Sequence, residues 1–246
     1  MHSPVKLQGI NFLPVTLDKA VQIVAKQVMS NSGSYFCLTN IHGVMESHRD
    51  MELRQTLNNA TGVFADGMGT ACALKYLGYM FKDRVRGKDL MVMLCEYAAR
   101  KGFRIFLYGN TNETLEKLKN VLTTLFPGLV ICGSYSPPFR ELTREEDEEV
   151  VRMINDSKAD ILFVSLGAPK QEKWMYAHKG RIKAVQLGLG AAFDFIAGNL
   201  SEAPDWMKKH CLEWLYRFPQ QPKKTIYRMS LLPEFLIRLF IQKFWR

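Results

Sequence analysis

Over its first 200 residues the chain alternates short β-rich runs with helix-length patterns, and no other feature restricts its fold as tightly. Runs at 35–38, 62–65, 104–108, 129–133, 161–166 and 184–187 predict strands. Patterns at 17–29, 67–77, 90–101, 113–125, 144–157 and 171–179 predict helices, with an apolar turn near 191–196. Thr111 or Asn112 suits the cap of the fourth helix, and Thr143 with Glu146 three residues on fits a capping box. Alternation of this kind predicts an α/β fold, a mainly parallel sheet covered by helices on both faces. The acidic run 145–149 reads as a solvated helix face.

At 246 residues the chain is long enough to bury a full core, as one large domain or a domain with an appendage. Five cysteines (Cys37, Cys72, Cys95, Cys132, Cys211) are scattered and never spaced CxxC. They predict buried reduced thiols rather than disulfides or a zinc site. The N-terminus lacks a basic stretch followed by a long apolar core, and no window reaches the roughly 18 uninterrupted apolar residues of a membrane span. A cytosolic protein is expected.

The pattern changes after Gly198, and the boundary is placed at 199–205, giving an α/β domain over 1–204 and an appendage over 205–246. Of the net charge of +9, nine Lys/Arg against three acids put +6 in the last 42 residues. Within the appendage, residues 231–246 place Glu234, Arg238, Gln242 and Arg246 on one stripe, and most of the rest are Leu, Ile, Phe or Trp. Such a helix would be about 24 Å long, too short and too charged to span comfortably. Two readings stand: an interfacial helix with basic groups at anionic headgroups, or a helix docked on the core or on an oligomer partner. Nucleic acid is not expected, because the aromatics lie in an aliphatic context rather than on a polar stacking platform.

The junction at 161–174 carries the clearest functional signal. A strand-length apolar run stops at Gly167, and Lys170, Gln171, Glu172 and Lys173 lead into a helix. At the carboxyl end of a parallel strand, that is where ligand-binding groups converge. Other strands end in Thr39-Asn40, Asp66-Gly67, Gly109-Asn110 and Gly188-Leu-Gly190, which predicts one crevice lined by all of them. Asp66 reads either as an N-cap carboxylate or as a partly desolvated base with a raised pKa. His42 follows Thr39-Asn40 and reads as a capping or surface group, with entry to the crevice as the alternative. No metal-ligand spacing, Walker loop, GxSxG elbow or complete dinucleotide fingerprint is present.

Several motifs recur in order: Ala65-Asp66-Gly67, Arg84-Val-Arg-Gly87-Lys-Asp89-Leu90, Leu166-Gly167-Ala-Pro169-Lys170-Gln171-Glu172, Gly188-Leu-Gly190 with Phe193-Asp194, Ala197-Gly198, Ala203-Pro204-x-Trp206 and Glu213-Trp214-Leu215-x-Arg217. Together they make the chain resemble the WecG/TagA/CpsF family of bacterial glycosyltransferases, glycosyltransferase family 26. The resemblance implies a Rossmann-like sheet with a C-terminal helical appendage. It also implies an inverting, metal-independent transfer of a hexose, N-acetylmannosamine-type or related, without a cofactor. The partners implied are a UDP-sugar donor, a polyprenyl-diphosphate-linked acceptor and an anionic membrane surface, with the protein peripheral on the inner face of the plasma membrane. A homo-oligomer is left open. Products of such transfers feed teichoic acid, enterobacterial common antigen, exopolysaccharide or capsule.

The resemblance assigns Asp66 as the base and places Thr39 and Asn40 near the sugar and Gln171 in the donor pocket. Arg217 and Arg228 would meet the leaving diphosphate. Gly67, Arg84, Asp89, Gly109, Gly167, Lys170, Glu172, Gly188 and Asp194 complete the candidate substrate-binding set. Two departures from the family pattern are visible. Glu202 stands where members often carry Arg, and Lys223 and Lys224 stand where arginines are common. The rival reading is a nucleotide-sugar-binding or scaffold component of a polysaccharide assembly complex with the same crevice and no chemistry. A third, a dinucleotide oxidoreductase, would require nicotinamide binding.

Overall fold

The computed structural model describes residues 3–30, 33–80, 84–204, 206–207, 210 and 212–245. β1 (Val5–Leu7) and β2 (Ile10–Phe12) form an N-terminal antiparallel hairpin that the sequence reading did not anticipate. Its two-residue turn, Gln8-Gly9, has positive φ at both positions, the geometry that matches the twist of paired strands. Six further strands build one parallel sheet: β3 (Tyr35–Thr39), β4 (Gly62–Ala65), β5 (Arg104–Gly109), β6 (Val130–Tyr135), β7 (Ile161–Ser165) and β8 (Val185–Gly188). Their spatial order is β4-β3-β8-β7-β5-β6. The architecture is α/β and Rossmann-like.

Because side chains alternate along a strand, a sheet covered on both faces needs apolar residues at every position. Tyr35 and Cys37 of β3, Phe106 and Tyr108 of β5, and Leu162 and Val164 of β7 enter one buried layer. Phe36, Ile105, Leu107, Ile161 and Phe163 enter the other. The second layer is closed by α1 (Leu17–Met29), with α5 (Gly87–Lys101), α6 (Asn112–Leu125) and α9 (Ala192–Ile196) beside it. The first is closed by α2 (Ile41–Arg49), α3 (Met51–Asn59), α4 (Met68–Tyr76), α7 (Arg144–Asp156) and α8 (Lys170–Ala177). The capping box of α7 forms as read, and Thr111 rather than Asn112 caps α6. Helices α2 and α3 were not anticipated. They are separated only by Asp50, which ends α2 and caps α3 through Leu53 N. All four described cysteines are free thiols. Cys37 and Cys95 are buried, Cys132 is half-buried, Cys72 is exposed against expectation, and Cys211 lies outside the described residues.

After residue 204 come α10 (Glu213–Gln220), α11 (Pro222–Ser230) and α12 (Leu232–Phe244). Among the described residues no helix is long and apolar enough to cross a membrane. Of the two readings of the last helix, docking on the core is the one the contacts show. Phe235 and Leu239 are buried in the core layer beneath the sheet, so the helix is docked. Its polar groups face the body: Gln242 accepts from Gln8 N at 2.8 Å and donates to Lys6 O, and Glu234 pairs with Arg49 at 2.9 Å. Ile237, Phe240, Ile241 and Phe244 remain exposed on the far side. That inverts the usual arrangement of a surface helix, in which the outward face is polar.

Candidate functional site

A crevice of about 700 Å³ opens at the carboxyl ends of the central strands, where the strand order reverses. Thr39, at the end of β3, is buried in its wall, and Asn40 caps α2 by accepting from Gly43 N at 3.2 Å. The neighbouring strand β4 runs in register with β3, and the N–H of Asp66 donates to Thr39 O at 3.0 Å. This bond extends the ladder one residue past β4 and holds the half-buried Asp66 beside Thr39 in the lining. Of the two readings of Asp66, the cap is not the one the backbone takes: the N-cap position of α4 falls on Gly67. His42 lies in the crevice too, with its ring edge against Tyr227 at 5.7 Å between centroids. Burial and the nearby Arg228 hold its pKa below the ordinary histidine value, against the pull of Glu46.

The opposite wall is built from β7, β8 and α8. The chain turns at Gly167, and the first turn of α8 directs Gln171 and Glu172 inward, 4% and 2% exposed. Gly188 and Gly190 leave the space that the Gln171 amide fills. A Cβ at Gly188 would stand 3.0 Å from Gln171 Nε2, and one at Gly190 would stand 3.2 Å from its Oε1. The Gln171 amide donates to Glu172 Oε1 at 3.0 Å, while Gln171 Oε1 and Glu172 Oε2 find no hydrogen-bond partner among the described residues. Two buried acceptors without partners mark a place where a ligand's donors are worth most. Lys170 stands exposed at the mouth, and Asp194 accepts from Asn110 Nδ2 at 3.2 Å across the floor.

Burial pushes the Glu172 carboxyl up to about 7, opposed by its hydrogen bonds. The folded state therefore holds a proton more tightly than the unfolded chain, which titrates near 4.5. Stability from that proton is complete below about 4.5 and is lost as the pH rises to about 7. Glu172→Gln should accordingly match the parent protein at low pH and exceed it by up to about 3 kcal/mol above neutrality. Denaturation midpoints across that range check this, and a pH-independent difference would refute it.

Cations close the rim. Lys224, Tyr227 and Arg228 of α11 face the crevice, as do Arg86, Gly87 and Lys88 at the start of α5. Sequence reasoning missed Arg86 and Lys88 because it began α5 three residues late, at Leu90. With Arg86 as the N-cap, the first turn at 86–88 points at the crevice, while Asp89 turns back to pair with Arg86 at 3.4 Å. Arg84, 9% exposed, lies outside the lining and donates to Glu213 of α10 at 2.6 Å. Gly67 is outside the lining as well. So is Gly109, packed so closely on the Ser165 backbone that a side chain has no room. Arg217 lies on α10, and its side chain is outside the described residues.

Residues 5–246 match the model of a family described as Glycosyl transferase WecG/TagA/CpsF. The chain belongs to this family. It is a glycosyltransferase. It is 30% identical over 233 residues to a Bacillus subtilis protein, covering 94% of this chain and 89% of that one. Over 211 residues it is 31% identical to a Bacillus spizizenii protein, covering 84% and 78%. A Staphylococcus aureus protein is 31% identical over 239 residues, covering 96% and 91%. All three are named N-acetylglucosaminyldiphosphoundecaprenol N-acetyl-beta-D-mannosaminyltransferase. In this WecG/TagA/CpsF member, Glu202 accepts from Arg86 at 2.6 Å and from Lys88. Glu202 and Glu213 thus tie the segment leading into the C-terminal helices to the stretch just before α5, through Arg84 and Arg86.

Proposed function

We propose that the protein moves an N-acetylmannosamine-type hexose from a UDP-sugar to a saccharide carried on a polyprenyl diphosphate, with inversion and without a metal. The observation that carries this reading is the opposition of Asp66 and Thr39, on adjacent strand ends, to the Gln171–Gly188–Gly190 wall within one crevice rimmed by Lys224 and Arg228. The donor sugar lies along the Gln171 wall, where the unpartnered amide oxygen accepts from its hydroxyls. Asp66 takes the proton from the acceptor hydroxyl as that oxygen bonds to the anomeric carbon. The bond from that carbon to the β-phosphate oxygen breaks on the opposite face, and its electron pair leaves with UDP. Attack in line with departure inverts the anomeric centre. Lys224 and Arg228, with Arg217, meet the growing charge on the diphosphate, an electrostatic role well suited to a partly closed site.

The protein is peripheral at the inner face of the plasma membrane on this reading, held by the outward apolar face of α12. A panel of UDP-sugars offered with a synthetic lipid-diphosphate-GlcNAc acceptor, read by product mass, tests the assignment. Acceptor-dependent release of UDP with a mass gain of one N-acetylhexosamine is expected. Donor binding with no product under any pairing would leave the non-catalytic reading standing in its place.

A further inference from the structure

A second hollow, of about 460 Å³, lies between α4 and α12. Ile41, Cys72, Tyr76, Leu236 and Phe240 line it with small and aliphatic neighbours, and no charged side chain does among the described residues. Three features say what fits. It shares a wall with the crevice, because Ile41 lies between Asn40 and His42, which both face the crevice. Gly69 of α4 admits the side chain of Ile41 of α2, so a larger residue at 69 would push Ile41 aside in the groove. At its other end, Leu236 and Phe240 are also part of the exposed apolar face of α12. A hydrocarbon chain seated in this groove would reach the exposed apolar face of α12.

We propose that the groove between α4 and α12 holds the first isoprenoid units of the acceptor's polyprenyl chain while its saccharide lies in the crevice. This rests on the acceptor class proposed above. A lipid-linked acceptor joins a dianionic headgroup to a branched hydrocarbon. The polar crevice and the apolar groove both border the first turn of α2, Asn40 and His42 on the one and Ile41 on the other. Binding of the tail beside the site makes part of the acceptor's affinity independent of its sugar, so tail length enters KM.

Cys72 gives the test, since it is exposed in the groove while Cys37 and Cys95 are buried. Cys72→Trp fills the groove, and Cys72→Asp makes it polar without adding bulk. Loss of contact with about two methylenes is worth roughly tenfold. Each variant should therefore raise the ratio of KM for a long-chain polyprenyl acceptor to KM for the same saccharide diphosphate on a short alkyl tail by about tenfold. An unchanged ratio overturns the proposal. A binding arm needs no turnover: maleimide alkylation at Cys72, read by peptide mass, should slow when long-chain acceptor is added to detergent micelles. Equal protection by vesicles without acceptor would assign the groove to bilayer chains, and protection that grows with protein concentration would assign it to a second copy; either overturns the inference. If the unsubstituted protein transferred to neither acceptor, the transferase reading would fail, and the alkylation arm would still decide the groove.

Discussion

Asp66→Asn is expected to lower kcat by about a hundred- to ten-thousandfold, the range in which a positioned general base acts. Asn preserves the shape of the group and the backbone bond from residue 66 to Thr39 O, so the β3–β4 edge and the crevice should persist. If the opposite wall holds the proposed UDP-sugar, binding of that donor should be little changed when measured by calorimetry. That split separates a base from a structural carboxylate, whose loss would weaken binding and lower the melting temperature together. Turnover retained within a factor of ten would remove Asp66 from the mechanism.

The second large effect concerns the outward face of α12. Replacing Ile237, Ile241 and Phe244 together by Asn leaves Phe235 and Leu239 in the core, so the fold should hold and circular dichroism should be unchanged. Fully burying each such side chain is worth about 1.5–3 kcal/mol. Even half-immersed, the three together should weaken partition onto anionic vesicles by about forty- to two-thousandfold. Sedimentation of the variant with vesicles at the parent level would refute membrane attachment through this face. For the parent protein, added salt should weaken the remaining, electrostatic part of the attachment. Deleting the helix is the poorer experiment, because Phe235 and Leu239 belong to the core.

The inner strands were readable because most of their residues are apolar and buried, as in 35–38 and 161–164. The hairpin at Val5–Leu7 and Ile10–Phe12 was not read, since three-residue strands alternate too briefly to register a period. Helices α2 and α3 hid for a different reason. Their buried faces rest on few residues (Val44, Met45, Leu53, Leu57), and Asp50 joins them with no intervening loop. In the site, the strand ends gave Thr39, Asn40, Asp66 and Gln171, because topology brings strand ends together whatever their side chains. What strand ends do not reveal is which way a helix start faces. Arg84 and Asp89 carry the family motif, yet Arg86 and Lys88 line the crevice, a matter of helix phase fixed by where α5 begins. Glu202 was legible as a departure, but its meaning appeared only when it met the two cations.

Leu231 is 3% exposed and serves at once as the end of α11 and the start of α12. With one buried residue shared between the two helices, the cations of α11 and the apolar face of α12 stand in a set relation to each other in this structure. With α12 lying in the lipid surface, the diphosphate-facing groups would sit at a set height above it. The enzyme would then act as a depth gauge, reaching a sugar only at the distance from the bilayer that one short glycan stem provides. If the proposed membrane attachment holds, lengthening that stem by further residues would carry the reactive hydroxyl out of range, and a single addition rather than polymerisation would follow.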